Sequence, residues 1–130
     1  MILALKTDQP EAELYLFDQS GKQLDKLIWL AHRELSVTIL NKIDEILQNN
    51  NLELKNLTGL VVFKGPGSFT GLRIGITVLN TLSYILKIPL VGQMSGNWIE
   101  LGLQKLKQNP NLSIIIPSYG NVPNITSPRK

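Results

Sequence analysis

The residues whose types and spacing could carry chemistry lie in residues 64–75, which have the sequence KGPGSFTGLRIG. This segment follows an apolar run at residues 59–63 and leads into a long helical pattern, so the order is strand, glycine turn, helix. Such a turn directs several backbone N–H groups to one point. This point lies at the positive end of the helix dipole, where a phosphate can bind. The segment is therefore either a phosphate site or a corner that seats the helix.

The glycine spacing resembles a dinucleotide fingerprint without matching it. The segment lacks the Gly-Lys-Ser/Thr ending of a phosphate-binding P-loop, and no acidic residue lies about 20 positions further on to bind a ribose. We favour the structural corner, with Ser68 as the helix N-cap. The alternative is a small nucleotide-binding α/β domain that uses Gly65, Gly67, Ser68 and Gly71.

Metal and nucleophilic chemistry have little support in the sequence. There are no cysteines, and His32 is the one histidine, so a Ser68–His32 pair would have no evident orienting acid. Asp8, Glu11 and Glu13 are close in sequence, but we interpret them as a solvated loop rather than a cation site. We predict no catalytic residue, no metal and no cofactor.

The elements that would position the glycine turn follow from hydrophobic periodicity. Predicted strands cover residues 2–5, 13–18, 23–30, 60–63, 88–92 and 113–116, and predicted helices cover residues 34–48, 69–86 and 95–107. The order βββαβαβαβ combines an antiparallel meander with parallel pairing and right-handed crossovers. It is the topology of a ribonuclease H-like, actin-like half-domain, an α/β mixed sheet with helices packed on it. We expect one domain over residues 1–116 and a poorly ordered tail over residues 117–130.

The two long helices carry more apolar surface than one sheet face can cover, which favours an interaction surface. Gly71 and Gly75 lie one turn apart in the second helix, and we interpret this pair as room for the close approach of a partner helix. The predicted interface residues are Leu40, Ile43, Leu47, Gly71, Leu72, Gly75, Leu79 and Leu82.

Composition narrows the class of protein. The 130 residues have 43% hydrophobic and 18% charged residues, which indicates a folded chain. The net charge of +3 comes without a basic cluster, so direct binding to nucleic acid has weak support. No stretch reaches the roughly 20 apolar residues of a membrane span. We expect a cytoplasmic protein with no membrane contact.

Three segments resemble the TsaB (YeaZ) family: residues 1–5 (MILAL), residues 65–75 (GPGSFTGLRIG) and residues 88–92 (IPLVG). The resemblance covers roughly residues 1–116. It implies a non-catalytic dimerisation subunit of the bacterial machinery that makes threonylcarbamoyladenosine (t6A) in tRNA. The implied partners are a TsaD-like catalytic subunit and a TsaE-like ATPase, with a homodimer when the protein is alone and tRNA contacted only indirectly. By position, the implied interface helices are the two long ones.

The sequence departs from the family pattern at three places. Lys6 stands where the family commonly has an aspartate, which in actin-like nucleotide folds helps to place the metal, so Lys6 argues against a hydrolytic site. An Ile-Pro-Ser-Tyr stretch at residues 116–119 stands in place of the usual Asp-Ala-Arg. The family also has a second domain of similar fold, and the sequence ends near where that domain would begin.

Overall fold

A computed structural model describes residues 1–31, 34–67, 69–94 and 96–108. The strands are β1 (Ile2–Lys6), β2 (Glu11–Phe17), β3 (Gln23–Leu30), β4 (Gly59–Phe63) and β5 (Leu90–Gln93). The helices are α1 (Leu35–Asn49), α2 (Phe69–Leu86) and α3 (Trp98–Gln108), with a 3-10 turn at Leu54–Asn56. The five strands form one mixed sheet in the order β3-β2-β1-β4-β5.

Strand β1 lies at the centre of the sheet and is apolar along most of its length. It pairs antiparallel with β2 and parallel with β4, and β4 pairs parallel with β5. The predicted actin-like arrangement is therefore confirmed. The predicted strand at residues 113–116 and the tail at 117–130 lie outside the described residues. Strand β5 begins at Leu90 rather than at residue 88, because Pro89 has no N–H to donate and contributes only its carbonyl, which accepts from the Leu60 N–H.

The side chain of Asp18 stabilises the turn that connects β2 to β3. Asp18 Oδ1 accepts hydrogen bonds from the N–H groups of Ser20 and Lys22 and from the Ser20 hydroxyl, and Gly21 supplies the φ of +92° that the turn needs. The hydrogen bond from the Ser20 side chain is the main reason that the pKa of Asp18 is lowered. Because this pKa is lowered on folding, its contribution to stability is present above the ordinary aspartate pKa and is lost as the pH falls through the folded value.

The two faces of the sheet carry different helices. On one face, the Trp29 indole donates to Thr38 of α1, and the Thr7 hydroxyl donates to the Gly71 carbonyl of α2. On the other face, Trp98 of α3 packs edge-on against the ring of Phe63, with centroids 5.8 Å apart. Helices α1 and α2 also pack against each other. Their outward sides therefore form one continuous surface of the molecule.

The core takes its residues from both faces of the sheet and from all three helices. Its largest fully buried side chains are Leu3, Leu5, Leu14, Leu16, Ile39, Ile46, Leu47, Leu60, Leu72, Leu79, Leu90 and Val61. Among the described helices, none combines the length and the apolar character needed to cross a membrane.

Candidate functional site

The glycine turn, residues 64–67, connects β4 to the start of α2. Gly65 has a φ of +120°, in the region that favours glycine. A Cβ on Gly67 would lie 2.5 Å from the Cβ of Asp8, so a larger residue would collide with that side chain. Both glycines are thus explained by the geometry of the corner. The predicted N-cap, Ser68, lies outside the described residues, as does His32.

Two opposite charges meet beside this turn. The Lys6 ammonium lies 2.6 Å from Asp8 Oδ1, and their side chains are only 19% and 10% exposed. The same ammonium lies 4.7 Å from the centre of the Phe63 ring, within the range of a cation–π contact. The interpretation of Asp8 as part of a solvated loop is therefore wrong. The alternation of Lys6 and Asp8 around Thr7 was a signal in the sequence that they share a side of the chain.

The other two acidic residues of that stretch do not join Asp8. Glu11 is exposed on β2, and Glu13 accepts a 2.6 Å hydrogen bond from the Tyr15 hydroxyl. Burial, this hydrogen bond and the Glu13 charge together raise the pKa of Tyr15 to about 12. Within residues 1–31, 34–67, 69–94 and 96–108, no three histidine or acidic side chains group as metal ligands would.

A small cavity, which we call the corner cavity, opens between the end of β1 and the first turns of α1 and α2. Its volume is about 210 Å³, and it is lined by Thr7, Gln9, Pro10, Ala31, Leu35, Thr70, Gly71 and Ile74. Clefts that enclose drug-sized ligands typically measure about 300–1,000 Å³. The corner cavity is below that range, and it contains one residue of the nucleotide alternative, Gly71, but neither Gly65 nor Gly67.

The glycines of α2 make room for Thr7, the residue that follows β1 in the same chain. The Thr7 hydroxyl donates a 2.7 Å hydrogen bond to the Gly71 carbonyl, and a Cβ on Gly75 would overlap the same hydroxyl oxygen. Gly75 is buried and Thr7 is 1% exposed. The group that approaches α2 closely is therefore the end of β1, and the interpretation of Gly75 as room for a partner helix is corrected accordingly.

The predicted interface residues divide between the core and the surface. Ile43, Leu47, Leu72, Leu79 and Leu82 are at most 8% exposed and belong to the core of this domain. In the described fold they pack inside the domain and offer almost no surface to a partner. Leu40 is 53% exposed and remains available.

Other apolar residues of α1 and α2 that the prediction omitted are also exposed or half-buried. Val37 of α1 is 62% exposed and Ile85 of α2 is 64% exposed, while Ile74 and Val78 are half-buried. Positions 74, 78 and 85 lie along one side of a helix. We call Val37, Leu40, Ile74, Val78 and Ile85 the α1–α2 surface. The sequence pattern did not separate these residues from the core because α2 is apolar almost all round.

A groove runs between the two helices within this surface, and we call it the helix groove. It has a volume of about 310 Å³ and is lined by Ser36, Thr70, Arg73, Ile74, Thr77 and Val78. It adjoins the corner cavity through the shared residues Thr70 and Ile74. The helix groove and the α1–α2 surface are the candidate interaction site.

Comparison with known proteins gives consistent matches. Residues 29–118 match the family model described as TsaD: tRNA N6-adenosine threonylcarbamoyltransferase. The chain is 35% identical over 92 residues to the tRNA threonylcarbamoyladenosine biosynthesis protein TsaB of Buchnera aphidicola subsp. Schizaphis graminum, covering 71% of this chain and 43% of that protein. It is 40% identical over 89 residues to the TsaB protein of Bacillus subtilis, covering 68% of this chain and 38% of that protein.

A solved structure agrees with these matches. YeaZ from Pseudomonas aeruginosa superimposes with a TM-score of 0.65 at 26% identity, over 72% of this chain and 43% of the YeaZ chain. The chain thus spans about two fifths of the length of these relatives.

The contact between Thr7 and α2 predicts the effect of Gly75→Ala. In an open helix this change would stabilise the protein by about 1 kcal/mol. Here the new methyl group overlaps the Thr7 hydroxyl, so we expect the free energy of unfolding to fall by about 1–3 kcal/mol in urea denaturation. The matched control is the Thr7→Ala variant as a background: with the hydroxyl absent, adding Gly75→Ala should cost less there than it does in the wild type. A Gly75→Ala protein as stable as the wild type would contradict the close contact.

The ion pair beside the turn predicts a non-additive pair of substitutions. Lys6→Met leaves the Asp8 carboxylate largely buried and without its cation, so we expect a loss of about 1–3 kcal/mol in unfolding free energy. Asp8→Asn alone leaves the Lys6 ammonium without its anion. The double variant Lys6→Met/Asp8→Asn leaves no unpaired charge and should lose less than the sum of the two single changes. Strict additivity would mean that the two charges do not interact.

The geometry of the turn also predicts weak nucleotide binding. The Asp8 side chain lies against Gly67 and would repel a phosphate, and the Lys6 cation is already paired. We expect calorimetric titration with ATP, ADP or NAD, with and without Mg²⁺, to show no binding at micromolar concentrations. Micromolar binding of any of them would support the alternative of a nucleotide-binding domain.

Proposed function

Because the chain belongs to the family that the TsaD model describes, with TsaB (YeaZ) proteins as its relatives, we propose that it is a non-catalytic subunit supporting t6A formation in tRNA. In this role it binds a TsaD-like catalytic subunit through the α1–α2 surface. Contact with tRNA is indirect, since the net charge of +3 is not gathered into a basic patch in the sequence.

The observation that carries this proposal is the exposure of aliphatic side chains on the two helices. Val37, Leu40 and Ile85 are 53–64% exposed, whereas the aliphatic residues of the same helices that face the sheet are almost completely buried. Each such side chain contributes about 1.5–3 kcal/mol when it is fully removed from water. A partner that covers several of them therefore gains a substantial association energy.

The carboxyl edge of the sheet supports the non-catalytic part of the proposal. Lys6 and Asp8 are bound to each other, and Thr7 is committed to the Gly71 carbonyl. These groups hold the corner together and are not free to bind a substrate. In the absence of a TsaD-like subunit, the same aliphatic surface would pair with a second copy, which gives the homodimer. A TsaE-like ATPase would join the assembled pair.

The test is co-expression of the full chain with the TsaD-like protein from the same source, followed by size-exclusion chromatography with light scattering. We expect a stable complex, and we expect Leu40→Asp and Ile85→Asp to weaken it at least about tenfold, because each places a charge in an apolar contact. The matched control is Leu101→Asp, which changes a 44% exposed leucine on α3, on the other side of the sheet. This control should bind like the wild type.

The results of this test distinguish a wrong function from a wrong interface. If the wild-type chain forms no complex with the TsaD-like protein, the proposed function is wrong. If it forms a complex that Leu101→Asp breaks and Leu40→Asp does not, the interface lies on the α3 side, and the α1–α2 surface is excluded.

A further inference from the structure

The helix groove has a lining that is apolar with a single charge. Ile74 and Val78 form its aliphatic part, Ser36, Thr70 and Thr77 contribute hydroxyl groups, and Arg73 contributes a guanidinium. None of the described lining residues is acidic. The groove therefore combines a place for an apolar side chain with a nearby fixed positive charge.

Arg73 has no anionic partner within the described ranges. The ion pairs found there join Lys6 with Asp8, Lys42 with Glu45 and Lys55 with Glu53. Arg73 is exposed, and α2 contains no aspartate or glutamate along its whole length. An i, i+3 or i, i+4 ion pair on its own helix is therefore impossible. The Arg73 guanidinium is therefore available to a carboxylate of a molecule that covers this surface.

Resting on the proposed function, we propose that the helix groove receives a helix of the TsaD-like partner that presents an aliphatic residue and, one turn away, an aspartate or glutamate. The aliphatic side chain packs between Ile74 and Val78, and the carboxylate binds Arg73. The spacing follows from α2, where the midpoint between Ile74 and Val78 lies about three residues, close to one turn, beyond Arg73. An arginine at this place favours a carboxylate because its planar N–H groups can donate two parallel hydrogen bonds.

The charge should contribute to partner selection as well as to affinity. Close charge pairs across interfaces couple more strongly when the surrounding contact excludes water, and the aliphatic residues of the groove would provide that exclusion. A helix with a lysine or arginine at the same place would be repelled, which separates the correct partner from other apolar helices.

The experiment measures binding of the purified TsaD-like subunit to the full chain by calorimetry at low and at high salt. We expect Arg73→Glu to weaken binding about tenfold or more, Arg73→Gln to weaken it less, and Arg73→Lys to retain part of the affinity. The loss caused by Arg73→Gln should shrink at high salt, because screening already weakens the wild-type pair. The control is Lys105→Glu, an exposed charge reversal on α3 that should leave binding unchanged.

A second variant tests the groove without altering its charge. Thr77→Trp places a large side chain into the groove from an exposed position, so the fold should be retained while binding is lost. The matched control is Gln104→Trp on the exposed side of α3. Circular dichroism melts of both variants check that the domain remains folded.

The results distinguish this inference from the function on which it rests. If the wild type binds the TsaD-like subunit and Leu40→Asp prevents binding, but Arg73→Glu and Thr77→Trp bind like the wild type, the proposed function stands and the groove inference is overturned. If Arg73→Glu and Thr77→Trp disrupt only the self-association of the chain, the occupant is a second copy rather than the TsaD-like subunit. If the wild type does not bind the TsaD-like subunit at all, both proposals fail.

Discussion

The contact between the end of β1 and the beginning of α2 fixes the geometry of the rest of the domain. The Thr7 side chain fills the space that a side chain at Gly75 would occupy, and its hydroxyl binds the Gly71 carbonyl one turn earlier. Thr7 can sit there only because the central strand runs parallel to β4, so that both strands end at the same edge of the sheet. The position of α2, the glycine turn before it and the groove beside it all follow from this one approach.

Once α2 is held there, the side of the helix on which an apolar residue lies determines whether that residue is buried or exposed. Residues such as Leu72 and Leu79 point to the sheet and are buried, while Ile85 points away and stays in contact with water. Because α1 lies on the same face and packs against α2, the outward residues of both helices become neighbours. The sheet can cover only one side of each helix, so several aliphatic side chains remain exposed on the other side, among polar residues.

The sequence predicts the helices and strands well, and it predicts the contacts of individual residues less well. Helix α2 has the predicted bounds, and the meander and the pairing of β1, β4 and β5 follow the predicted order with ends shifted by up to two residues, because hydrophobic periodicity and turn residues are local properties. The predicted strand at residues 113–116 lies outside the described residues. The spacing of Gly71 and Gly75 showed that something must come close to α2. It did not show what, since Thr7 is more than sixty residues away in sequence and only the pairing of β1 with β4 brings it there.

The interface residues were predicted less well for a related reason. In a helix that is apolar almost all round, periodicity does not separate the side facing the sheet from the side facing a partner, so Leu72, Leu79 and Leu82 were placed in the interface although they are core. Arg73 is the one charged residue of α2, a feature that is visible in the sequence itself. The role of Asp8 was visible only in part: its alternation with Lys6 indicates a shared side of the chain, whereas the glycine turn comes to lie against Asp8 only through the fold.

Two charged side chains of this chain, Lys6 and Asp8, lie at the edge of the sheet beside the glycine turn. The start of a helix favours a negative charge, and the first turn of α2 contains no acidic residue. Asp8 lies against Gly67, two residues before α2 begins, and so brings a carboxylate to that end of the helix, while Lys6 balances it from the end of β1. The two opposite charges lie 2.6 Å apart and neutralise each other beside the turn. The corner, in which these two charges bind each other and Thr7 binds α2, thus supports the start of that helix.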